Sequence, residues 1–217
     1  MQDLGVGSGR GHRGIMGAMA NTDNASTDPA DTDPAAVHQR ATFKNFEEST
    51  ADDWAKIVPQ LTITQSLVAD RVIALMRDLA FDHGGFPVDR LEHSLQTATR
   101  AERDNRDDEY VLCALLHDIG DTLAPYNHPS IAAGILKPFV SEANHFMVLN
   151  HGEFQGYYFW DYIGLDGNAR ERFRDSPHFD RTAEFCHEYD QMAFDSSYIS
   201  NPLEHYEPLI RQFLSPS

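Results

Sequence analysis

Six histidine and aspartate side chains in this sequence are of the types that hold metal ions. They are His93, His117, Asp118, His128, His151 and Asp190. Four of them lie in or beside apolar segments, where buried polar groups are costly unless they share a partner. Imidazole and carboxylate ligands together suit divalent metals such as iron and manganese. The set therefore predicts a metal site assembled from several segments of the chain.

The adjacent pair His117-Asp118 is the centre of this prediction. Neighbouring residues of a helix point about 100° apart, so both can reach one centre only where a helix ends, and Gly120 indicates an end there. Taken alone, the pair could also be a core histidine beside a helix-terminal aspartate. Six ligands exceed what one catalytic ion with open positions needs, so they fit two ions bridged by Asp118. Two such ions can activate oxygen or water and clamp a substrate.

The segments that carry these residues are predicted to be helices, because apolar residues recur at helical spacing and no alternation typical of a strand is present. The predicted helices are a short one ending near Pro59, Leu61–Ala80, Asp89–Arg103, Tyr110–Ile119 capped by Asp107, one starting at Asn127-His128-Pro129, one running from Ser141 to His151, and one over 185–194. The expected fold is all-α, a single helical bundle over residues 42–217. The apolar stripe of Leu61–Ala80 belongs to the core or to a homo-oligomer contact.

The composition excludes several other classes of protein. The 217 residues carry a formal net charge of −17 and include three lysines, which argues against binding of nucleic acid. No apolar run is long enough to span a bilayer. There is no secretory signal pattern at the N-terminus, and the two cysteines, Cys113 and Cys186, provide no disulfide framework. We therefore expect a cytoplasmic location and a small-molecule substrate.

Residues 1–41 contain no aromatic residue and six of the fourteen glycines. Such a segment buries too little apolar surface to offset the entropy lost on ordering. The sequence therefore predicts a disordered N-terminal tail over residues 1–41, followed by one folded catalytic domain.

The order of the six residues resembles that in a known superfamily. His93, His117-Asp118 and Asp190 resemble the H…HD…D signature of the HD-domain superfamily, and His128 with His151 resembles its dinuclear subset. The resemblance covers residues 86–195. It implies a helical fold and one of two chemistries, O2-dependent oxidation at a mixed-valent di-iron site or metal-dependent hydrolysis of a phosphate ester or nucleotide.

The sequence around the first and last ligands is similar to that of the di-iron oxygenases of this superfamily, which cleave phosphonates or polyols. This resemblance implies that His93, His117 and Asp190 hold one iron, that His128 and His151 hold the other, and that Asp118 bridges them. His117 and Asp118 would then be the catalytic pair. The implied cofactor is Fe(II)/Fe(III), with O2 and a small polar molecule as reactants. For a phosphohydrolase, manganese or another divalent metal takes the place of iron.

The sequence indicates the residues that would contact a substrate less clearly than it indicates the metal ligands. Gln155, which is neutral, stands where the phosphonate oxygenases have a lysine. The aromatic segment 152–160 is either a lid packed on the core or a substrate wall, and a wall of this kind could hold a quaternary ammonium by cation–π attraction. The candidate substrate residues are Gln96, Gln155, Tyr158, Lys137 and Arg181.

Four further polar residues have open roles. His145 could replace His151 as a ligand, and His187 and His178 could face the same site or solvent. Asp121 is either a loop residue or a residue that orients His117 or His128.

Overall fold

The computed structural model describes residues 40–215, and its regular elements are helical. The α-helices are α1 (Ala51–Ser66), α2 (Val68–Asp78), α3 (Arg90–Arg103), α4 (Asp108–Leu116), α5 (His128–Leu136), α6 (Glu142–Gln155), α7 (Phe179–Phe185) and α8 (Leu203–Leu214). No strand occurs in residues 40–215, so the predicted all-α class is confirmed. Within that range no helix has the length and apolarity that a bilayer crossing requires. The predicted tail lies outside the described residues, apart from its last two positions.

Contacts divide the chain into two units, residues 1–57 and 58–217. In the described part of the first unit, the carboxylate of Asp53 accepts hydrogen bonds from the Thr42 and Thr50 amides and from the Thr50 hydroxyl. These bonds lower the pKa of Asp53, with the Thr50 hydroxyl as the largest cause. Three aromatic rings of the same unit contact one another: Phe43, Phe46 and Trp54.

The prediction that a helix ends near Pro59 is wrong. Helix α1 continues through Pro59 to Ser66, and the break before α2 falls at Leu67. Proline cannot donate to the carbonyl four residues earlier, which here belongs to Ala55. Because Ala55 is exposed, water can take the place of the missing donor and the helix continues.

In the second unit, α4 is the central helix. Every residue from Tyr110 to Leu116 is buried, as expected of a helix that is apolar on all sides. The predicted cap is confirmed, because the side chain of Asp107 accepts a hydrogen bond from the Tyr110 amide. Helices α3, α6 and α8 pack against α4. Since α4 ends at Leu116, the chain leaves the helix inside the protein, where His117 and Asp118 follow.

A polar network fixes the start of α6 against α4. One oxygen of Glu109 accepts from the Ser141 amide (2.7 Å), the Ser141 hydroxyl (2.6 Å) and the Asn144 side chain (2.7 Å). Burial by itself would raise the pKa of Glu109, but these hydrogen bonds outweigh it and lower the pKa. Arg181 of α7 donates to the side-chain oxygen Oδ1 of Asn144. The network holds α6 in the orientation that brings its distal residue His151 inward.

Candidate metal centre

All six residues predicted as metal ligands lie together at the centre of the second unit. They come from five elements: His93 from α3, His117 and Asp118 from the turn after α4, His128 from the first position of α5, His151 from α6, and Asp190 from the end of a π-helical turn, Cys186–Asp190. π-Helical turns occur frequently at functional sites. Five of the six residues are buried, and His128 is half-buried.

The first group of donor atoms contains two histidines and two aspartates. The Nε2 atoms of His93 and His117 lie 3.4 Å and 3.2 Å from Asp118 Oδ2. The same two nitrogens lie 3.2 Å and 3.7 Å from Asp190 Oδ1, and 3.2 Å from each other. Four donor atoms from four residues therefore surround one small volume.

The second group uses the other oxygen of the same aspartate. Asp118 Oδ1 lies 3.2 Å from His128 Nε2 and 3.0 Å from His151 Nε2. The two imidazole nitrogens are 3.3 Å apart. One carboxylate thus presents a separate oxygen to each of two histidine groups, which is the arrangement of a bridging ligand.

All four histidines point the same ring nitrogen toward the centre. In each, Nδ1 contacts a backbone carbonyl, and the partners are Ala193 for His93 (3.1 Å), Ala114 for His117 (2.8 Å), Pro125 for His128 (3.2 Å) and Val148 for His151 (2.7 Å). A carbonyl can only accept, so Nδ1 carries the proton. In the neutral ring the lone pair of Nε2 then faces the donor group, as metal ligation requires.

The two carboxylates create a negative potential that favours positive charge on the groups around them. Burial by itself would lower the pKa of His93, but hydrogen bonds to Asp118 and Asp190 outweigh it and raise the pKa to about 9. The pKa of His117 rises for the same reason, chiefly through Asp118. Burial by itself would raise the pKa of Asp118. The surrounding histidines outweigh this effect and lower the pKa far below its usual value. The carboxylates therefore require positive partners, either protons or metal ions.

The donor set fits metal ions. Asp190 Oδ2 is buried and has no hydrogen-bond partner among the described residues, whereas buried polar atoms are rarely left unsatisfied. Three sets of residues have donor atoms within 4.8 Å of one another: His93 with His117 and Asp118, His117 with His151 and Asp190, and Asp118 with His128 and His151. These buried groups could bind a metal ion.

A cavity of about 200 Å³ opens onto the centre. His93, Asp118 and His128 are among the residues that line it, whereas His117 and His151 lie fully buried. Three phenylalanines line its walls: Phe86, Phe159 and Phe194. Phe194 stacks on the His93 ring at 4.4 Å and on Phe86 at 5.3 Å. A small molecule in this cavity would contact ligands of both groups and an aromatic wall.

Of the five candidate substrate residues, the cavity lining includes Gln155. Its Nε2 donates to Asp190 Oδ1 at 2.6 Å, so this residue links the cavity to the first group. The other four lie elsewhere: Gln96 bonds Glu92 and Asp195, the Tyr158 hydroxyl contacts His187, Lys137 is exposed after α5, and Arg181 bonds Asn144. The cation in the lining is Arg90, which was not among the predicted residues because nothing in its local sequence marks it.

The residues with open roles are also placed. Asp121 Oδ1 lies 3.0 Å from His128 Nδ1, so Asp121 contacts a predicted ligand, as expected of a residue that orients His128. The ring of His178 contacts Phe146, and His187 is exposed. His145 is absent from the three donor sets found among the described residues. From the aromatic segment 152–160, Phe159 joins Gln155 in the lining.

Gly120 controls the approach of α5 to the turn that carries His117 and Asp118. A Cβ atom there would lie 2.7 Å from the His128 backbone oxygen and 2.7 Å from Ile131 Cβ. Because backbone cannot move away cheaply, we expect Gly120→Ala to lower the free energy of unfolding by about 1–3 kcal/mol. Urea denaturation measures this loss.

The matched control is Gly134→Ala within α5, where a Cβ would meet no atom within 4 Å. Alanine favours a helix interior over glycine by roughly 0.5–1 kcal/mol, so this variant is expected to be more stable than the wild type. Equal effects of the two substitutions would contradict the importance of the close approach at Gly120.

The chain matches no model of a known protein family, and a search of curated proteins likewise gives no match.

Proposed function

We propose that this protein is an enzyme of the HD-domain type that holds two iron ions and uses O2 to oxidise a small polar substrate. The observation that carries the proposal is the position of Asp118. Its two oxygens face two different histidine groups at 3.0–3.4 Å. A single-metal site would not need a second pair of histidines on the far oxygen of the same carboxylate.

The proposal assigns each ligand a place. His93, His117 and Asp190 would hold one ion, His128 and His151 the other, and Asp118 both. Four imidazoles with two carboxylates suit iron, and a bound pair of iron ions would supply redox chemistry with O2 and a Lewis-acid site for a substrate oxygen. The chain itself orients the imidazoles through their backbone carbonyl partners and limits access of water to the buried side of the centre.

The cavity supports a small substrate. Its volume of about 200 Å³ lies below the range of roughly 300–1,000 Å³ typical of sites for drug-sized ligands. The charge of Arg90 in its wall is compensated by contacts with Asp82 and Asp121. A nucleotide polyphosphate would need more free positive charge. A compact polar molecule, of the phosphonate or polyol type, suits the space and the charge.

The test uses full-length protein purified without oxygen and loaded with Fe(II). We expect two iron ions per chain, and after partial oxidation an electron paramagnetic resonance signal from a coupled Fe(II)/Fe(III) pair. Addition of a small 1-hydroxyphosphonate or polyol that is a substrate should perturb this signal and start O2 consumption.

The competing function is metal-dependent phosphohydrolysis. Manganese-loaded protein without oxygen, incubated with phosphate esters and nucleotides, is the parallel assay. Phosphate release there, together with no coupled iron signal, would overturn the oxygenase proposal in favour of the hydrolase.

A further inference from the structure

We infer that Asp121 and Arg90 are positioning residues that act on His128 and thereby set the metal affinity of the second group. This inference rests on the proposed two-metal function. The second group consists of His128, His151 and Asp118, and the first group consists of His93, His117, Asp118 and Asp190.

His128 is held differently from the other three histidines. Its side chain is 22% exposed, compared with 6% for His93 and 0% for His117 and His151. Its carbonyl contact, to Pro125, is the longest of the four at 3.2 Å. Burial and a backbone partner fix the other rings, so His128 needs a further restraint.

Asp121 provides that restraint. Its Oδ1 lies 3.0 Å from His128 Nδ1, and its side chain is 9% exposed. A carboxylate on the far nitrogen of a ligating histidine fixes the ring and makes the ligating nitrogen a stronger donor. Among the four histidines of the centre, His128 is the one whose Nδ1 lies close to a carboxylate as well as to a backbone carbonyl.

Arg90 fixes Asp121 in turn. Its Nη1 forms an ion pair with the other oxygen, Asp121 Oδ2. Its Nε lies 3.0 Å from Asp82 Oδ2, so the planar guanidinium is anchored at two points. A buried carboxylate without a paired charge is costly, and the guanidinium supplies that pairing. The side chain of Asp121 thus has one oxygen for Arg90 and one for His128.

The second group should depend on this chain of contacts more than the first group does. It has three protein donors, whereas the first group has four. A misoriented His128 leaves two donors for the second ion, and one of these, Asp118, is shared. Loss of Asp121 or Arg90 should therefore weaken one ion selectively.

The experiment is a titration of metal-free, full-length protein with Co(II), followed by absorption in the visible range and by calorimetry. For Asp121→Asn we expect the second equivalent to bind about 10–100-fold more weakly, with the first equivalent unchanged. Arg90→Met should also weaken binding of the second equivalent, but by a smaller factor. Arg90→Lys, which keeps the positive charge, should weaken it less than Arg90→Met does. The Co(II) absorption band of the second equivalent should change as well.

A double variant tests whether Arg90 acts through Asp121. If it does, Asp121→Asn combined with Arg90→Met should lose no more than Asp121→Asn alone, because residues in one network are not additive. The matched control is Asp70→Asn with Arg211→Met, which removes an exposed ion pair between α2 and α8. This control should leave both equivalents unchanged.

Three outcomes would overturn the inference. Unchanged affinity for the second equivalent in both single variants would show that the contacts do not act on His128. If the affinities for both equivalents fall together and the melting temperature falls as well, the substitutions act on stability in general. Wild-type protein that takes up one Co(II) or none would contradict the proposed function itself, which distinguishes that failure from the other two.

Discussion

Replacement of Asp118 by alanine is expected to abolish the binding of both metal ions. Its two oxygens lie within 3.4 Å of four histidine nitrogens, two on each side. Removal of the side chain takes a donor from each group at once. It also leaves four buried or half-buried imidazoles facing one another without the carboxylate between them. Metal analysis of the purified protein after loading and gel filtration measures the change.

The control for this substitution is Asp175→Ala, which removes an exposed carboxylate on the same chain. It should retain the full metal content, and circular dichroism should show that both variants remain helical. A single ion retained in Asp118→Ala would mean that the other ligands of one group suffice. Two retained ions would show that Asp118 is not a ligand.

The positions of the helices and of the predicted ligands follow from local patterns in the sequence. Helix α4 is apolar on every side and is capped by Asp107, as the sequence predicts, but it ends at Leu116, three residues before the predicted end at Ile119. The cap of α6 at Ser141 is equally local. Adjacent residues can reach one centre only where a helix ends. The shared orientation of His117 and Asp118 therefore follows from the end of the helix in this region.

The lining of the cavity could not be predicted in this way. Phe194 stacks on His93, which lies about a hundred positions away in the chain. Arg90, at the start of α3, contacts Asp121 in the turn between α4 and α5. No spacing rule connects residues in separate segments. Arg90 follows the cap of α3 and has the sequence context of an ordinary surface arginine, so its contact with Asp121 depends on packing between segments.

The π-helical turn Cys186–Asp190 is another feature that periodicity does not reveal. The sequence predicts a regular helix over 185–194, whereas the structure has a widened turn that ends at Asp190. The amide of Gln191 donates to the carbonyl of Cys186, five residues earlier. This widening changes the direction of Asp190 relative to a regular helix, and its Oδ1 lies 3.2 Å from His93 Nε2.

Substitution of either second-group histidine is expected to remove about one ion and leave the other. His128→Ala and His151→Ala each delete one of the two imidazoles that face Asp118 Oδ1, whereas the four donors of the first group remain. The stability of the two variants should differ. His151 is fully buried and its ring contacts His117 and Phe185, so its loss should leave a cavity and lower the melting temperature more than the loss of the half-buried His128.

His145→Ala is the matched control, because His145 lies on the same helix as His151 and is only partly buried. It should keep both ions. Because neither His128 nor His151 belongs to the first group, a content of one ion in both variants would support two separate positions that share Asp118. If neither variant changes the metal content, the second pair of histidines holds no ion. The centre would then be mononuclear, and a function that depends on a pair of metals would be wrong for this protein.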